Sequence, residues 1–179
     1  MSAINLIIML IQAVIMLFQL RALMQSSSVD YYNKVTQVVI KLTQPIIGIL
    51  PIRSKQIKGF YYCGFVVSFV IALIASGLLH FIFKAPIPLA LLISVILTVK
   101  TFGYLILILL LAQALTSWLP STRGWSLYFS QITHPIVSPV QRIIPPIGMV
   151  DISLMIVMLA IFAINSLCYK VFGIWWGIC

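Results

Sequence analysis

The chain has 179 residues, of which 63% are hydrophobic and 7% charged, and its mean hydropathy of +1.19 is typical of an integral membrane protein. Its 11 Lys and Arg residues outnumber the two acidic residues, Asp30 and Asp151, and give a formal net charge of +9. Four membrane spans of about 20 residues each would use about 80 residues, which excludes a separate soluble catalytic domain. Because the chain has two acidic residues, most active sites built on paired carboxylates are excluded as well.

The first predicted span covers residues 3–24, an apolar run long enough to cross a bilayer once. It lacks a basic leader and a small-residue cleavage site, so we expect it to remain in place. Arg21 closes the run and is expected to extend to the cytoplasmic interface. Asn5, Gln12 and Gln19 recur every seven residues and place a polar seam along the helix. Interhelical hydrogen bonds would explain the seam, and a hydrated path is the alternative.

Residues 25–58 form the first predicted loop, which contains an amphipathic segment. The apolar and aromatic positions at helical spacing are Tyr31, Tyr32, Val35, Val38, Val39 and Leu42. This segment is too short and too polar to span a bilayer, so we expect a helix lying in the membrane interface. Packing of the helix on its own bundle is the alternative. The Thr43-Gln44-Pro45 turn is expected to end it.

The second predicted span covers residues 59–83. Small residues recur in it at steps of four, a pattern that lets another helix backbone approach closely. These residues are Gly64, Ser68, Ala72 and Ser76. His80 lies near the outer end of this span, whereas His134 lies in the second loop. Because this topology places the two histidines on opposite faces, we expect no haem, metal or other cofactor in this chain.

Residues 86–119 contain Lys100, which divides them into two apolar runs. The shorter run predicts an interfacial or half-depth helix over residues 88–99, with Pro86 and Pro88 fixing the turn before it. A re-entrant segment, or the first part of one long third helix, is the alternative for these residues. The longer run predicts the third span over residues 101–119. Lys100 would then extend its amine to the outer interface.

Residues 120–150 form the second predicted loop and repeat the amphipathic pattern of the first. Its apolar and aromatic positions at helical spacing are Trp125, Tyr128, Phe129 and Ile132. We expect a second interfacial helix, ended by the turn at Thr133 and Pro135. The fourth span is predicted over residues 152–169, and the Trp-containing tail 170–179 suits the headgroup zone.

Asp151 directly precedes the fourth predicted span. The unpaired N–H groups and positive dipole at a helix start favour a carboxylate there, so we predict a helix cap. Arg142 lies nine residues upstream and is a partner for either Asp151 or a lipid phosphate. A proton or cation relay through Asp151 is a third interpretation.

The two halves of the sequence match each other. Residues 42–47, Leu-Thr-Gln-Pro-Ile-Ile, align with residues 132–137, Ile-Thr-His-Pro-Ile-Val, at a shift of 90 positions. We therefore predict two membrane repeats, 1–85 and 86–179, each consisting of a span, an amphipathic loop and a span. Two spans per repeat place both loops on one face. The loops hold seven Lys and Arg residues, which predicts a cytoplasmic face and external termini.

The loops also carry a set of motif residues. They are Thr43, Pro45, Thr133, Pro135, Arg142, Pro145, Pro146, Gly148, Asp151 and Ser153. In the second loop they form a Thr-x-Pro turn, an Arg before a double proline, a glycine and an Asp-x-Ser that enters the next helix. This doubled pattern resembles the YggT family of bacterial membrane proteins over nearly the whole chain. The first copy departs from the pattern after Pro51 and has no counterpart of Asp151.

The resemblance implies a multi-pass protein of the bacterial inner membrane. Members of that family have no established molecular activity, and they are associated with osmotic or ion homeostasis, cell division and nucleoid distribution. Plastid relatives are linked to haem attachment during cytochrome assembly.

The sequence as a whole predicts an all-α integral membrane protein with about four transmembrane helices and no enzyme activity, because it shows no nucleophile–base pair, zinc motif, phosphate loop or acid pair. We expect a scaffold or assembly factor whose basic amphipathic loops engage anionic lipid headgroups, a second copy or partner membrane proteins. A small channel for ions or osmolytes is the alternative. Nucleic acid is not expected as a partner, because no basic motif of a recognised type is present.

Overall fold

A computed structural model describes the chain over residues 3–27, 29–51, 55–57, 59–84, 86–118, 120–144 and 151–178. These residues are almost entirely helical, which confirms the predicted all-α fold class. The predicted motif positions Pro145, Pro146 and Gly148 lie outside the described residues, as does the side chain of His80.

Four long helices form the body of the described chain. They are α1 (Ala3–Ser26), α3 (Cys63–Phe83), α4 (Ile87–Trp118) and α6 (Ile152–Phe172), and the shorter helices are α2 (Lys34–Ile47), α5 (Arg123–Gln141) and α7 (Ile174–Ile178). Between α2 and α3 lies a short β-hairpin with two residues in each strand. Its strand β1 (Gln56–Ile57) is antiparallel to β2 (Phe60–Tyr61). A 3-10 turn over Pro120–Thr122 leads from α4 into α5.

Several helices are long and apolar enough to cross a bilayer. Among the described residues, the segments that meet both criteria are Asn5–Ser26, Ile87–Trp118 and Ile152–Phe172. The apolar segment Cys63–Leu78 is shorter, within a helix that runs over 21 residues to Phe83. Many large apolar side chains on the outside of the bundle are exposed, as expected for a surface that faces lipid tails.

The structure corrects the prediction for residues 88–99 and 101–119, because α4 is one continuous helix. Its 32 residues would extend about 48 Å at the standard rise, which exceeds the roughly 30 Å thickness of the hydrocarbon core. Pro86 precedes the helix, and Pro88 lies in its first turn, where a missing N–H removes no intrahelical bond. Lys100 does not interrupt the helix, because lysine is a good helix former and its amine has a hydrogen-bond acceptor on Trp176.

Lys100 is also not extended to an interface as predicted. Its side chain is 7% exposed, and Nζ donates a hydrogen bond to the backbone oxygen of Trp176 at 2.7 Å. This contact exists because the chain reverses at Gly173, where φ is +55°, and α7 folds back against the bundle. Trp176 stacks on Phe172 and donates to Oδ1 of Asn165 at 2.9 Å. The side chain of Trp176 therefore packs against the bundle, whereas that of Trp175 is exposed.

The small residues of α3 contact α1 at Gly64 and Ser68. Gly64, Ser68, Ala72 and Ser76 are all buried. A Cβ atom placed on Gly64 would lie 2.3 Å from the backbone oxygen of Phe18, so the two helices could not approach as closely with a larger residue there. These contacts agree with the predicted packing seam.

The polar seam of α1 connects this helix to α4 at Gln19. Gln19 is wholly buried, and its Nε2 donates to the backbone oxygen of Thr98 at 2.9 Å and to Oγ1 of Thr101 at 3.3 Å. Gln12 is half-buried, and Asn5 is exposed. Gln19 thus makes the interhelical hydrogen bonds that the sequence predicted for the seam.

Candidate interfacial site at the amphipathic helices

The two amphipathic helices lie together at one end of the bundle. α2 follows the end of α1, and α5 follows the end of α4. The hydroxyl groups of Thr36 on α2 and Tyr128 on α5 are 2.9 Å apart. Oγ of Ser27, at the end of α1, donates to the backbone oxygen of Ile132 on α5 at 3.1 Å. We call the joined surface of α2 and α5 the interfacial platform.

α2 forms because its start and its buried face are both specified locally. Asn33 caps it, with its side chain accepting from the backbone N–H of Val35 at 2.9 Å. Its buried residues recur every three or four positions and so share one face. They are Thr36, Val39, Thr43 and Ile47. Burial of this face holds the helix against α1 and α3, where Ile47 packs on Phe18.

The Thr-x-Pro turns do not end either helix, contrary to the sequence prediction. α2 continues past Pro45 to Ile47, and α5 continues past Pro135 to Gln141. The buried stripe of each helix extends beyond the proline, and Val137 packs there with residues of α4 and α6. This packing outweighs the one backbone hydrogen bond that each proline removes.

The two threonines of the turns lie at equivalent places beneath the platform. Oγ1 of Thr43 donates to the backbone oxygen of Val39 at 2.7 Å. Oγ1 of Thr133 lies 2.6 Å from Oε1 of Gln113 on α4 and 3.0 Å from the backbone oxygen of Phe129. Both threonine side chains are buried, so their hydroxyls need these acceptors.

Arg21 lies beneath α2 and does not extend to an interface as the sequence predicted. Its side chain is 6% exposed, and Nη2 donates to Oε1 of Gln44 at 3.4 Å. α2 packs over the end of α1 and covers the guanidinium. Residues 21–23, Arg-Ala-Leu, match residues 113–115, Gln-Ala-Leu, in the other half of the sequence at a shift of 92 positions. Arg21 and Gln113 each contact their own amphipathic helix.

Asp151 caps α6, as predicted. Its Oδ1 accepts from the backbone N–H of Ser153 at 3.0 Å, and its backbone conformation is extended. Oδ2 accepts from Nε2 of Gln141 at 2.8 Å, so Gln141 takes the place proposed for Arg142, whose side chain is exposed. Oγ of Ser153 donates to the backbone oxygen of Ile144 at 2.7 Å. These bonds join the end of α5 to the start of α6.

Three aromatic side chains of α5 form a cluster that extends from the buried Tyr128 to the exposed Trp125. The ring of Trp125 meets that of Tyr128 edge-on at a centroid distance of 6.1 Å, and Phe129 stacks at 6.3 Å from Trp125. Burial raises the pKa of the Tyr128 phenol, and the hydrogen bond with Thr36 partly opposes this effect. Tyr128 therefore remains a neutral hydrogen-bonding group at physiological pH.

The outer face of the platform carries apolar and basic side chains. Its exposed apolar residues include Val38, Leu42, Ile46, Trp125 and Leu127. The exposed basic side chains that the structure describes at this end of the bundle are those of Lys34, Lys41, Lys55, Arg123 and Arg142. Such a surface can insert apolar side chains below the headgroups of a membrane while its cations contact lipid phosphates. Among the described residues, no group of three His, Cys, Asp or Glu side chains is placed to hold a metal ion.

Sequence reasoning did not find several of these contacts. The bond between Thr36 and Tyr128 joins residues 92 positions apart, and neither residue type marks such a pair in advance. One sequence signal could have pointed to the contact of Gln113 with α5, namely the match of Gln113 with Arg21 across the two halves. The pairing of Gln141 with Asp151 depends on how α5 approaches α6, which the sequence does not specify.

These long apolar helices and the amphipathic helices at one end of the bundle define the chain as a helical membrane protein. The sequence model of the family described as CCB3/YggT matches residues 92–172. The chain is 31% identical over 155 residues to "Uncharacterized protein YggT" of Escherichia coli (strain K12), covering 84% of this chain and 80% of that protein. The chain belongs to the YggT family, as its motif residues indicated.

Two further relatives have similar coverage. An "Uncharacterized protein" of Haemophilus influenzae is 28% identical over 158 residues, covering 88% of this chain and 86% of the relative. "Uncharacterized protein in proC 3'region" of Vibrio alginolyticus is 31% identical over 170 residues, covering 90% of both chains. No solved structure matches the chain significantly.

Proposed function

We propose that this protein is a non-enzymatic scaffold or assembly factor of the bacterial inner membrane, and that the interfacial platform is its binding surface. The platform would recognise a partner membrane protein, while anionic lipid headgroups hold α2 and α5 at the interface. The observation that carries the proposal is the bond between Thr36 and Tyr128, because it joins the two amphipathic helices into one surface.

The distribution of side chains supports this binding mode. On α2, Val38, Leu42 and Ile46 are exposed at steps of four and so form one apolar stripe. Lys34 and Lys41 are exposed on the same helix. Each Lys or Arg near an anionic membrane surface contributes about 1 kcal/mol of attraction. Apolar and basic groups therefore act together in holding the platform at the interface.

The proposed orientation places the platform in the cytoplasm. Its end of the bundle carries most of the exposed basic side chains, which the positive-inside rule assigns to the cytoplasmic side. A membrane-impermeant maleimide should fail to label single cysteines introduced at Asn33 and Ser126 in intact cells, in a background in which Cys63, Cys168 and Cys179 are replaced. Both positions should react after the cells are opened. Labelling of either cysteine from outside would contradict the orientation.

Site-specific photocrosslinking in cells tests the binding surface. A photoreactive amino acid would replace Leu42 on α2 or Leu127 on α5, whose side chains are 59% and 64% exposed. Leu159 on α6, 65% exposed, is the matched control on a lipid-facing helix. We expect both platform positions to capture the same membrane protein and Leu159 not to capture it. Identical products from all three positions would contradict a dedicated platform.

A flux measurement separates the scaffold from the channel alternative. The purified chain would be reconstituted into vesicles, and the passage of ions and small osmolytes would be compared between the wild type and Gln12→Leu. The scaffold proposal predicts the same background flux for both proteins. A wild-type flux that Gln12→Leu abolishes without disrupting assembly would favour a channel and would contradict the proposal.

A further inference from the structure

A groove lies between two of the long helices, α4 and α6. Its volume is about 180 Å³, and its walls are mostly apolar side chains of these helices. α6 packs on α4 near its own start, through Leu154 and Val157, and the chain returns to α4 beyond the end of α6, where Trp176 packs with Ile96. Between these two contacts the helices separate, and the groove is partly open to the surface of the bundle.

Gly103 leaves room in the α4 wall of the groove. A Cβ atom placed on it would have one neighbour, Cγ2 of Ile161 on α6 at 4.0 Å. At Gly64, by contrast, the same addition would bring a Cβ atom to 2.3 Å from the backbone of α1. Gly103 is therefore not required for a close helix contact, and the space beside it is available to a ligand.

Asn165 of α6 supplies a polar group to this otherwise apolar groove. Its Oδ1 accepts from Nε1 of Trp176 at 2.9 Å, which directs the NH₂ group away from Trp176. Among the residues that the structure describes, Nδ2 of Asn165 has no acceptor. Asn165 is half-buried and lines the groove, so a ligand there can accept from this NH₂ group. Tyr104 of α4 lines the same groove, and within the described ranges its hydroxyl also has no partner.

The depth of Asn165 restricts what this ligand can be. Along the helix axis Asn165 is about 20 Å from the start of α6 and about 10 Å from its end, so it lies within the hydrocarbon core, which is about 30 Å thick. Lipid tails offer no acceptor there, and a donor without an acceptor is destabilising in hydrocarbon. The ester and phosphate oxygens of phospholipids lie at the interfaces. The ligand therefore has to carry an acceptor while being apolar enough to enter the core.

We propose that the groove binds an isoprenoid quinone. A ring carbonyl accepts from Nδ2 of Asn165, the flat ring lies beside Gly103, and the isoprenoid tail leaves through the open side into the lipid. Such a site has mostly apolar walls and a single polar group that fixes the orientation of the ligand, as is common in small-molecule pockets. The groove is separate from the interfacial platform, so the inference does not depend on the proposed function. No ligand of this kind was predicted from the sequence.

Photolabelling of the full-length chain tests the site. The protein would be irradiated in phosphatidylcholine nanodiscs with an azido-benzoquinone that carries two isoprene units, and the labelled peptides would be identified by mass spectrometry. We expect saturable labelling of α4 and α6 around the groove. Unlabelled quinone should abolish it, whereas squalene, an isoprenoid hydrocarbon without a carbonyl, should not. Labelling without saturation, or equal competition by squalene, would overturn the proposal.

A pair of glycine variants tests the location. Gly103→Leu would fill the groove from the α4 wall and should abolish the saturable labelling. Gly77→Leu adds the same side chain to α3, where a Cβ atom would have no neighbour within 4 Å, and it should label like the wild type. Equal labelling of the two variants would contradict the groove as the binding site.

Replacement of Asn165 tests the hydrogen bond to the carbonyl. Asn165→Leu should weaken quinone binding about tenfold, which is the expected effect of losing one hydrogen bond in a site without water. Unchanged affinity would refute the role of the amide.

A measurement on the wild type alone covers the case in which these variants do not fold. Infrared spectra of a quinone labelled with ¹³C at its carbonyls would be compared between nanodiscs with one quinone per protein and empty nanodiscs. A hydrogen bond lowers the C=O stretching frequency, so the protein should add a band at lower frequency. Identical carbonyl bands in the two samples would refute the site.

Discussion

Replacement of Gly64 by alanine should destabilise the bundle, because it adds a methyl group where α1 and α3 are in closest contact. The new Cβ would lie 2.3 Å from the Phe18 backbone oxygen and 2.9 Å from Cβ of Ala22. Ordinary contact begins near 3.4 Å, so the helices would have to separate by about 1.1 Å. That movement would also lengthen the 3.2 Å hydrogen bond from Ser68 to Ile15 beyond normal range. Overpacking of this kind costs about 1–3 kcal/mol.

Gly77 provides a matched control on the same helix. A Cβ atom there would have no neighbour within 4 Å. Gly77→Ala should therefore leave stability unchanged or raise it by up to about 1 kcal/mol, because alanine favours the helix more than glycine does. The free energy of unfolding would be measured for both variants in mixed micelles with increasing denaturing detergent, using circular dichroism. Equal effects of the two substitutions would refute the close approach of α1 to α3.

Three further predictions concern α5 and the start of α6. Thr133→Val should lower the free energy of unfolding by about 1–3 kcal/mol, because Oε1 of Gln113 would lose its buried donor. In a double-mutant cycle with Gln113→Leu, the two substitutions should have non-additive effects on this free energy, and additive effects would contradict the hydrogen bond. Asp151→Ala should lower the free energy of unfolding by about 1 kcal/mol through loss of the α6 cap. Asp151→Asn should retain most of this stability, because asparagine also caps helices. An equal loss in both variants would exclude capping as the cause. Because burial raises the pKa of Tyr128 in the folded state, its contribution to stability is fully present below the ordinary tyrosine pKa of about 10 and is lost as the pH rises through the folded pKa. The free energy of unfolding of Tyr128→Phe should therefore fall less than that of the wild type above that pH, and parallel pH profiles would contradict the burial of this phenol.

The predictions from sequence succeeded where a local pattern determines the structure. Apolar runs predicted the long helices, because a continuous hydrophobic surface must face lipid or another helix. The small-residue pattern of α3 predicted a close helix contact, since residues four positions apart share one face. The position of Asp151 predicted a cap, because the orphan N–H groups at a helix start need an acceptor. The two internal repeats and the membrane orientation stay predictions.

The errors concern residues whose local tendency is overruled by distant packing. Pro135 was expected to end its helix, but Val137 beyond it packs against α4 and α6. Lys100 was expected to begin a new helix at an interface, but a carbonyl 76 residues further along the chain accepts its hydrogen bond. Arg21 was expected at the interface, but α2 folds over it.

The sequence by itself determined that the chain is a helical membrane protein with two amphipathic segments, because hydropathy and periodicity are properties of the chain's own residues. The tertiary structure alone decided that these segments meet through Thr36 and Tyr128, and that Arg21 is enclosed beneath α2. Contacts of this kind join residues far apart in the chain, and they depend on how whole helices pack rather than on the preference of any one residue.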